Sequence, residues 1–185
     1  IHMMVNTLIG GYGGEVPEHL HHPLDRIRKN CEELLDMARE YLDLSRFERG
    51  DLQAHLEPLD LEADVLSVAV DNALPLLQAR GMVVEVHAAA GLRIHGDGGL
   101  LRIALGNFLS NAAKYGEAGG RVRVDLVRSN DVARLIVWNE GAGFTPQEAE
   151  RLFGKFSRLD NATTRGARGS GVGLFLVRQI AELHG

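Results

Sequence analysis

The chain has 185 residues, 45% hydrophobic and 24% charged, with a formal net charge of -5 and a pI of about 5.9. That length suits one domain or one and a half, with the composition of an ordinary globular protein rather than a disordered one. The acidic balance offers no footprint for a nucleic-acid backbone, a single cysteine (Cys31) excludes a disulfide framework and a four-cysteine zinc site, and no run approaches the roughly 18 apolar residues of a membrane span. Glycine is the exception, with 22 residues against a typical ~7% of a chain, and the glycines fall in clusters.

Residues 1–4 read as a cloning junction and are left out of the fold reasoning. Residues 5–9 suggest a short helical end. From 17 to 48 the pattern is helical: Leu24, Ile27, Cys31, Leu34, Ala38 and Tyr41 recur in steps of three and four, a heptad seam that calls for a partner helix. Pro17 and Pro23 place the well-formed helix from near Pro23, and Gly50 stops it. At 1.5 Å per residue this helix spans roughly 38 Å and the segment 5–9 only about 8 Å, so most of the seam is expected to be buried by self-association.

Further along, the pattern predicts a linker over 51–62 with a strand near 55–59, a helix over 61–79 closed by Gly81, and strands over 82–88 and 92–95. A helix over 97–115 follows, then a hairpin of strands 121–128 and 133–138 turning at Ser129, Asn130 and Asp131. Thr145 and Pro146 read as N-cap and first residue of a helix. Residues 157–168, polar and basic, read as a mobile loop, and 170–184 as the last helix. This order argues for an α+β fold: a two-layer α/β sandwich, a mixed sheet with helices on one face, preceded by a long helical-hairpin arm.

Three stretches carry chemistry. On the helix 97–115, Asn107, Asn111 and Lys114 are spaced four and three, so two carboxamides and an ammonium share one face. A carboxamide oxygen suits a hard cation and an ammonium suits phosphate. Trp138-Asn139-Glu140-Gly141-Ala142-Gly143-Phe144 follows an apolar strand, and its two glycines let the backbone approach a ligand. Gly169-Ser170-Gly171-Val172-Gly173-Leu174 opens a helix, where backbone amides and the helix dipole favour an anion, and Arg165 and Arg168 add charge beside it. It is neither a Walker A loop nor a dinucleotide fingerprint.

Taken in this order, the stretches resemble the catalytic ATP-binding domain of bacterial sensor histidine kinases, within the superfamily of gyrase, heat-shock-90-type, histidine-kinase and mismatch-repair ATPases. Residues 107–115 resemble its asparagine box, 139–144 its first glycine box, Leu152-Phe153-Gly154-Lys155-Phe156 its phenylalanine box, and 169–174 its second glycine box. Leu42-Asp43-Leu44-Ser45-Arg46-Phe47-Glu48 is similar to the end of the second helix of its dimerisation hairpin. The resemblance divides the chain into 1–50, part of that hairpin, and 51–185, the catalytic ATP-binding domain.

The resemblance implies ATP and Mg2+ as cofactors, with Asn111 on the magnesium and Asn107 supporting metal and phosphates. Lys114 would contact phosphate, Tyr115 would lie near the adenine, and Gly141 and Gly143 would let the base approach. Asn139 stands where the family most often has an aspartate that accepts from the adenine amino group; its oxygen accepts without the charge. Phe156 belongs to the phenylalanine box, and Arg165, Arg168, Gly169, Gly171, Gly173 and Leu174 would form the lid. The family transfers the γ-phosphoryl group to a histidine in a motif like His-Glu-Leu-x-x-Pro-Leu. Here Glu18-His19-Leu20-His21-His22-Pro23-Leu24, aligned on its proline, puts Glu18 at that position, too close to Ser45 for two long helices and a loop, so the acceptor is expected upstream. Two further strands are expected beyond His184 and Gly185.

The resemblance also implies a response regulator receiver domain as partner and a homodimer through the helical arm, with a cytoplasmic location, no nucleic acid and no direct membrane insertion. The competing readings are another ATPase or serine kinase of the same superfamily, and a regulatory module that binds nucleotide, or has lost that binding, and acts through helix contacts.

Overall fold

The computed structural model describes residues 1–12, 14–49, 53–130, 132–159 and 169–185. The chain separates into two compact units, Ile1–Glu48 and Arg49–Gly185.

The first unit is two helices, α1 (His2–Ile9) and α2 (Glu18–Glu48), which pack together with Val5 buried and His2 Nε2 3.3 Å from Glu32 Oε1. Two boundaries differ from the sequence reading. Helix α1 takes in His2, Met3 and Met4, the residues set aside as a junction. Helix α2 begins before Pro23 because the Leu20 N–H closes a first turn on the Pro17 carbonyl, at 2.8 Å. Pro23 then forfeits only the one bond that its missing N–H would make. Along α2, Arg28 bridges Asp25 and Glu32, and Lys29 also meets Asp25. These partners hold the Asp25 carboxyl down at about 2, through hydrogen bonds first from Lys29 and then from Arg28. Of the seam residues, Ile27, Leu34, Ala38 and Tyr41 are exposed and Leu24 and Cys31 half-buried.

The second unit is α+β. Its strands are β1 (Glu57–Asp60), β2 (Val83–Ala88), β3 (Arg93–Gly96), β4 (Arg121–Ser129) and β5 (Val132–Asn139). Its helices are α3 (Ser67–Ala79), α4 (Gly98–Tyr115), α5 (Pro146–Leu152) and α6 (Gly173–His184). The sheet is mixed, in the order β2-β4-β5, with β2 parallel and β5 antiparallel to β4. Beside this mixed sheet, β1 and β3 form a separate antiparallel pair in the register Glu57–Gly96 to Asp60–Arg93. Asp60 turns the chain out of β1: its carboxylate accepts from the N–H groups of Glu62 and Ala63 and starts a π-helical segment, Leu61–Leu66, that runs into α3.

Strand β4 alternates cleanly. Val122, Val124 and Leu126 are fully buried, while Arg121 and Arg123 face outward, as a sheet covered on one side requires. Helix α4 supplies the matching layer with Leu105, Leu109, Ala112 and Ala113, joined by Val65, Leu66, Leu77 and Met82. Helices α3 and α6 pack on α4, α6 burying Leu176, Val177 and Ile180. Because the buried set of α4 falls at 105, 109 and 112, the positions 107, 111 and 114 lie on its other side.

Candidate functional site

Helix α4 is anchored at its start by Asp97, whose carboxylate accepts from the Leu100 N–H at 3.0 Å. At its far end Gly116 turns the chain where any side chain would collide with the Ala112 carbonyl and the Met82 methyl group. The Glu117 N–H then bonds the Glu140 carbonyl at 2.9 Å, fastening this end to the end of β5. Glu140 is itself clamped by Arg121, whose backbone N–H and guanidinium both donate to its carboxylate. That bond, through the side chain first and the backbone second, holds the Glu140 carboxyl below its ordinary value.

The sequence-predicted residues converge from four segments. A Cβ on Gly173, the first residue of α6, would collide with Oδ1 of Asn107. A Cβ on Gly169 would sit 3.5 Å from the Tyr115 hydroxyl, and one on Gly141 3.3 Å from both the Tyr115 carbonyl and Asn139 Nδ2. At Gly171, with φ +73°, a Cβ would press on the Ser157 carbonyl and the backbone of Phe156. Phe156 has φ +58°, and the Lys155 ammonium lies 5.2 Å from its ring centre. The structure thus brings together Asn107, Tyr115, Asn139, Gly141, Phe156, Gly169, Gly171 and Gly173. Gly143 (φ +66°), after β5, has space for a Cβ among the described residues, Leu174 follows Gly173 in α6, and Arg165 and Arg168 lie outside the described residues.

The polar groups are oriented by local bonds. Asn107 Nδ2 donates to the Ile103 carbonyl at 3.0 Å, which turns Oδ1 toward Gly173 as an acceptor. Asn139 Nδ2 donates to the Glu140 carbonyl at 3.1 Å, leaving its Oδ1 to accept. Asn111 and Lys114 are half-buried on α4, and among the described residues no hydrogen bond or ion pair engages either side chain. No group of three His, Cys, Asp or Glu side chains among the described residues could hold a metal. A carboxamide oxygen together with the oxygens of an anionic ligand is a donor set that suits a hard cation. Bare glycine backbone against a carboxamide-lined helix face is a cradle that side chains would fill, and it suits a polyphosphate.

Some of the site was not visible as motif. Gly116 and Ser157 shape it, and the Arg121–Glu140 clamp braces it. Gly116, directly after Tyr115 at a helix end, was the one of these that carried a local signal.

Residues 96–185 match the Histidine kinase-, DNA gyrase B-, and HSP90-like ATPase family. Sensor-like histidine kinase SenX3 of Mycobacterium tuberculosis is 30% identical over 160 residues, covering 86% of this chain and 39% of SenX3. The solved mycobacterial sensor histidine kinase MprB is 32% identical with a TM-score of 0.57, over 70% of this chain and 80% of that one. Full-length ShkA, solved in complex with AMPPNP, shares the fold over 98% of this chain and 38% of that one, with a TM-score of 0.72 at 24% identity. The chain therefore spans about two fifths of the length of SenX3.

Proposed function

This chain belongs to the Histidine kinase-, DNA gyrase B-, and HSP90-like ATPase family, among its sensor histidine kinases, and on that premise we propose that it binds Mg-ATP for phosphoryl transfer to a histidine. The observation that carries the reading is the meeting of Asn107 Oδ1 with the bare backbone of Gly173. It sets a carboxamide acceptor beside a glycine-rich helix N-terminus, as magnesium and phosphate together need.

Bound Mg-ATP supplies the γ-phosphoryl group. The chain's own residues bind and orient: Asn111 and Asn107 offer oxygens to the cation, Lys114 a charge to phosphate, and the amides of 169–173 a positive helix end. Tyr115, Asn139, Gly141 and Gly143 form the base end, where Asn139 Oδ1 accepts from an exocyclic amine. Phe156 meets Gly171, and the family resemblance assigns Arg165 and Arg168, outside the described residues, to the phosphates. Positioning and charge neutralisation account for the rate, since phosphoryl transfer asks for little else.

In the same reading residues 1–50 are part of a dimerisation hairpin. The exposed Ile27, Leu34 and Tyr41 on α2 support a homodimer through this arm. No histidine of this chain is assigned as the acceptor, which is read as lying upstream of it, and the phosphoryl group goes on to a response regulator receiver domain. Among the described residues no helix is long and apolar enough to cross a membrane, and a cytoplasmic location is part of the proposal.

Calorimetric titration of ADP and ATP, with and without magnesium, tests the site on this chain and on Asn111→Ala. Magnesium-dependent binding that the variant loses is the expected result. A folded chain that binds neither nucleotide would overturn the reading in favour of a regulatory module.

A further inference from the structure

His184 ends α6 at the opposite pole from the glycine-rich start. Its Nδ1 lies 2.7 Å from the Ile180 carbonyl and its Nε2 lies 2.9 Å from the backbone N–H of Asp97. A carbonyl only accepts and an amide N–H only donates, so the proton sits on Nδ1 and Nε2 is the acceptor. The ring is half-buried, and Gly96 makes room for it: a Cβ there would stand 3.3 Å from the imidazole Cδ2.

Helices α4 and α6 are therefore joined twice. At one end Gly173 abuts Asn107; at the other His184 holds Asp97, the residue that caps α4. The two ties are separated by about 15 Å along α4 and about 17 Å along α6, at 1.5 Å per residue, so the helices run antiparallel and nearly in step. Between them α6 buries only Leu176, Val177 and Ile180. Apolar contacts of that kind choose a face but are non-directional, whereas a hydrogen bond fixes position along the axis.

Building on the nucleotide reading above, we propose that His184, as the Nδ1–H tautomer, is a positioning residue that sets the register of α6 on α4. It thereby aims the glycine-rich start of α6 at Asn107. It touches no nucleotide itself; it acts through the helix.

The test compares the wild type with His184→Leu, which keeps bulk and loses the acceptor, and with His184→Gln, which restores an acceptor at similar reach. Three measurements are made: ring nitrogen shifts of His184 by NMR, side-chain amide resonances of Asn107 in the free protein, and calorimetric affinity for Mg-ADP. We expect the Nδ1–H tautomer, a shift of the Asn107 resonances in His184→Leu, and an affinity loss of roughly three- to tenfold that His184→Gln recovers, the scale of one hydrogen bond. An Nε2–H ring overturns the proposal. So does a His184→Leu protein with a lower melting temperature but unchanged Asn107 resonances and affinity, because that is a purely structural role. If His184→Leu does not fold, the ring tautomer and the His184→Gln affinity decide. If the wild type binds no Mg-ADP, the nucleotide reading has failed, and the tautomer and the Asn107 resonances still judge the positioning role.

Discussion

Gly173 and Asn107 meet backbone to side chain: the first residue of α6 stands where any Cβ would collide with the carboxamide oxygen of the asparagine. Two helices far apart in sequence thus approach with no side chain between them, and the oxygen stays free for a ligand. Gly173→Ala is expected to push Asn107 aside. Alanine favours the helix by about 0.5–1 kcal/mol over glycine, so stability should hold or fall only slightly. Mg-nucleotide affinity should fall by about tenfold or more, the equivalent of ~1.4 kcal/mol. Calorimetry beside a melting curve checks this, and unchanged affinity would show that Asn107 can give way without consequence.

Leu105 is fully buried in the layer between α4 and the sheet, among Val122, Val124 and Leu126. Truncation to alanine leaves a cavity that rigid neighbours on two sides cannot close. The expected loss is about 2–5 kcal/mol in urea unfolding with the slope unchanged. A loss under ~1 kcal/mol would mean that the layer repacks around the gap.

The sequence made the second unit legible because its cues are local. Alternation in β4, the Thr145 and Glu148 capping box and the Asp97 cap each sit within a few residues, and the elements fall within three residues of the expected bounds except the helix expected from 61, whose first six residues are π-helical and whose α-helical part starts at Ser67. What was hidden depends on distance along the chain. The separate pairing of β1 with β3, the His184–Asp97 bond and the Tyr115–Gly169 approach join residues that no period links. At Pro23 a local rule misled, because the turn closed by Pro17 carries the helix past it. The motif residues were found by resemblance; which of them touch was a matter for the fold.

Asp97 predicts a pH dependence. Burial pushes its carboxyl up, but N–H donors from Leu100, His55 and Gly99 outweigh that and hold it below the usual range. A carboxyl lowered by folding stabilises the native state fully above its unfolded value, near 3.9, and this is lost as pH falls through the folded value. Asp97→Ala should therefore cost about 0.5–2 kcal/mol at pH 7, the scale of an N-cap. The gap to wild type should narrow below about pH 4. Parallel stability curves from pH 7 to pH 3 would rule out the charged cap as the cause.

Gly171 and Gly143 separate backbone strain from steric contact. Both have positive φ, +73° and +66°, but among the described residues only Gly171 has neighbours: its Cβ would come within 2.7 Å of the Ser157 carbonyl and 2.8 Å of the Phe156 carbonyl carbon, while Gly143 has space for a Cβ. An alanine at 143 meets only the left-handed penalty of about 1–2 kcal/mol. An alanine at 171 meets the same penalty and must also move a backbone segment, itself held with Phe156 at φ +58°. Gly171→Ala should therefore lower the melting temperature more than Gly143→Ala and weaken Mg-nucleotide binding further, because moving 156–157 disturbs the side of the cradle that Phe156 closes. Asparagine, which tolerates the left-handed region, should recover much of the loss at 143 and little at 171. Equal losses at the two positions, or equal recovery by asparagine, would show that the contact with Phe156 and Ser157 carries no weight.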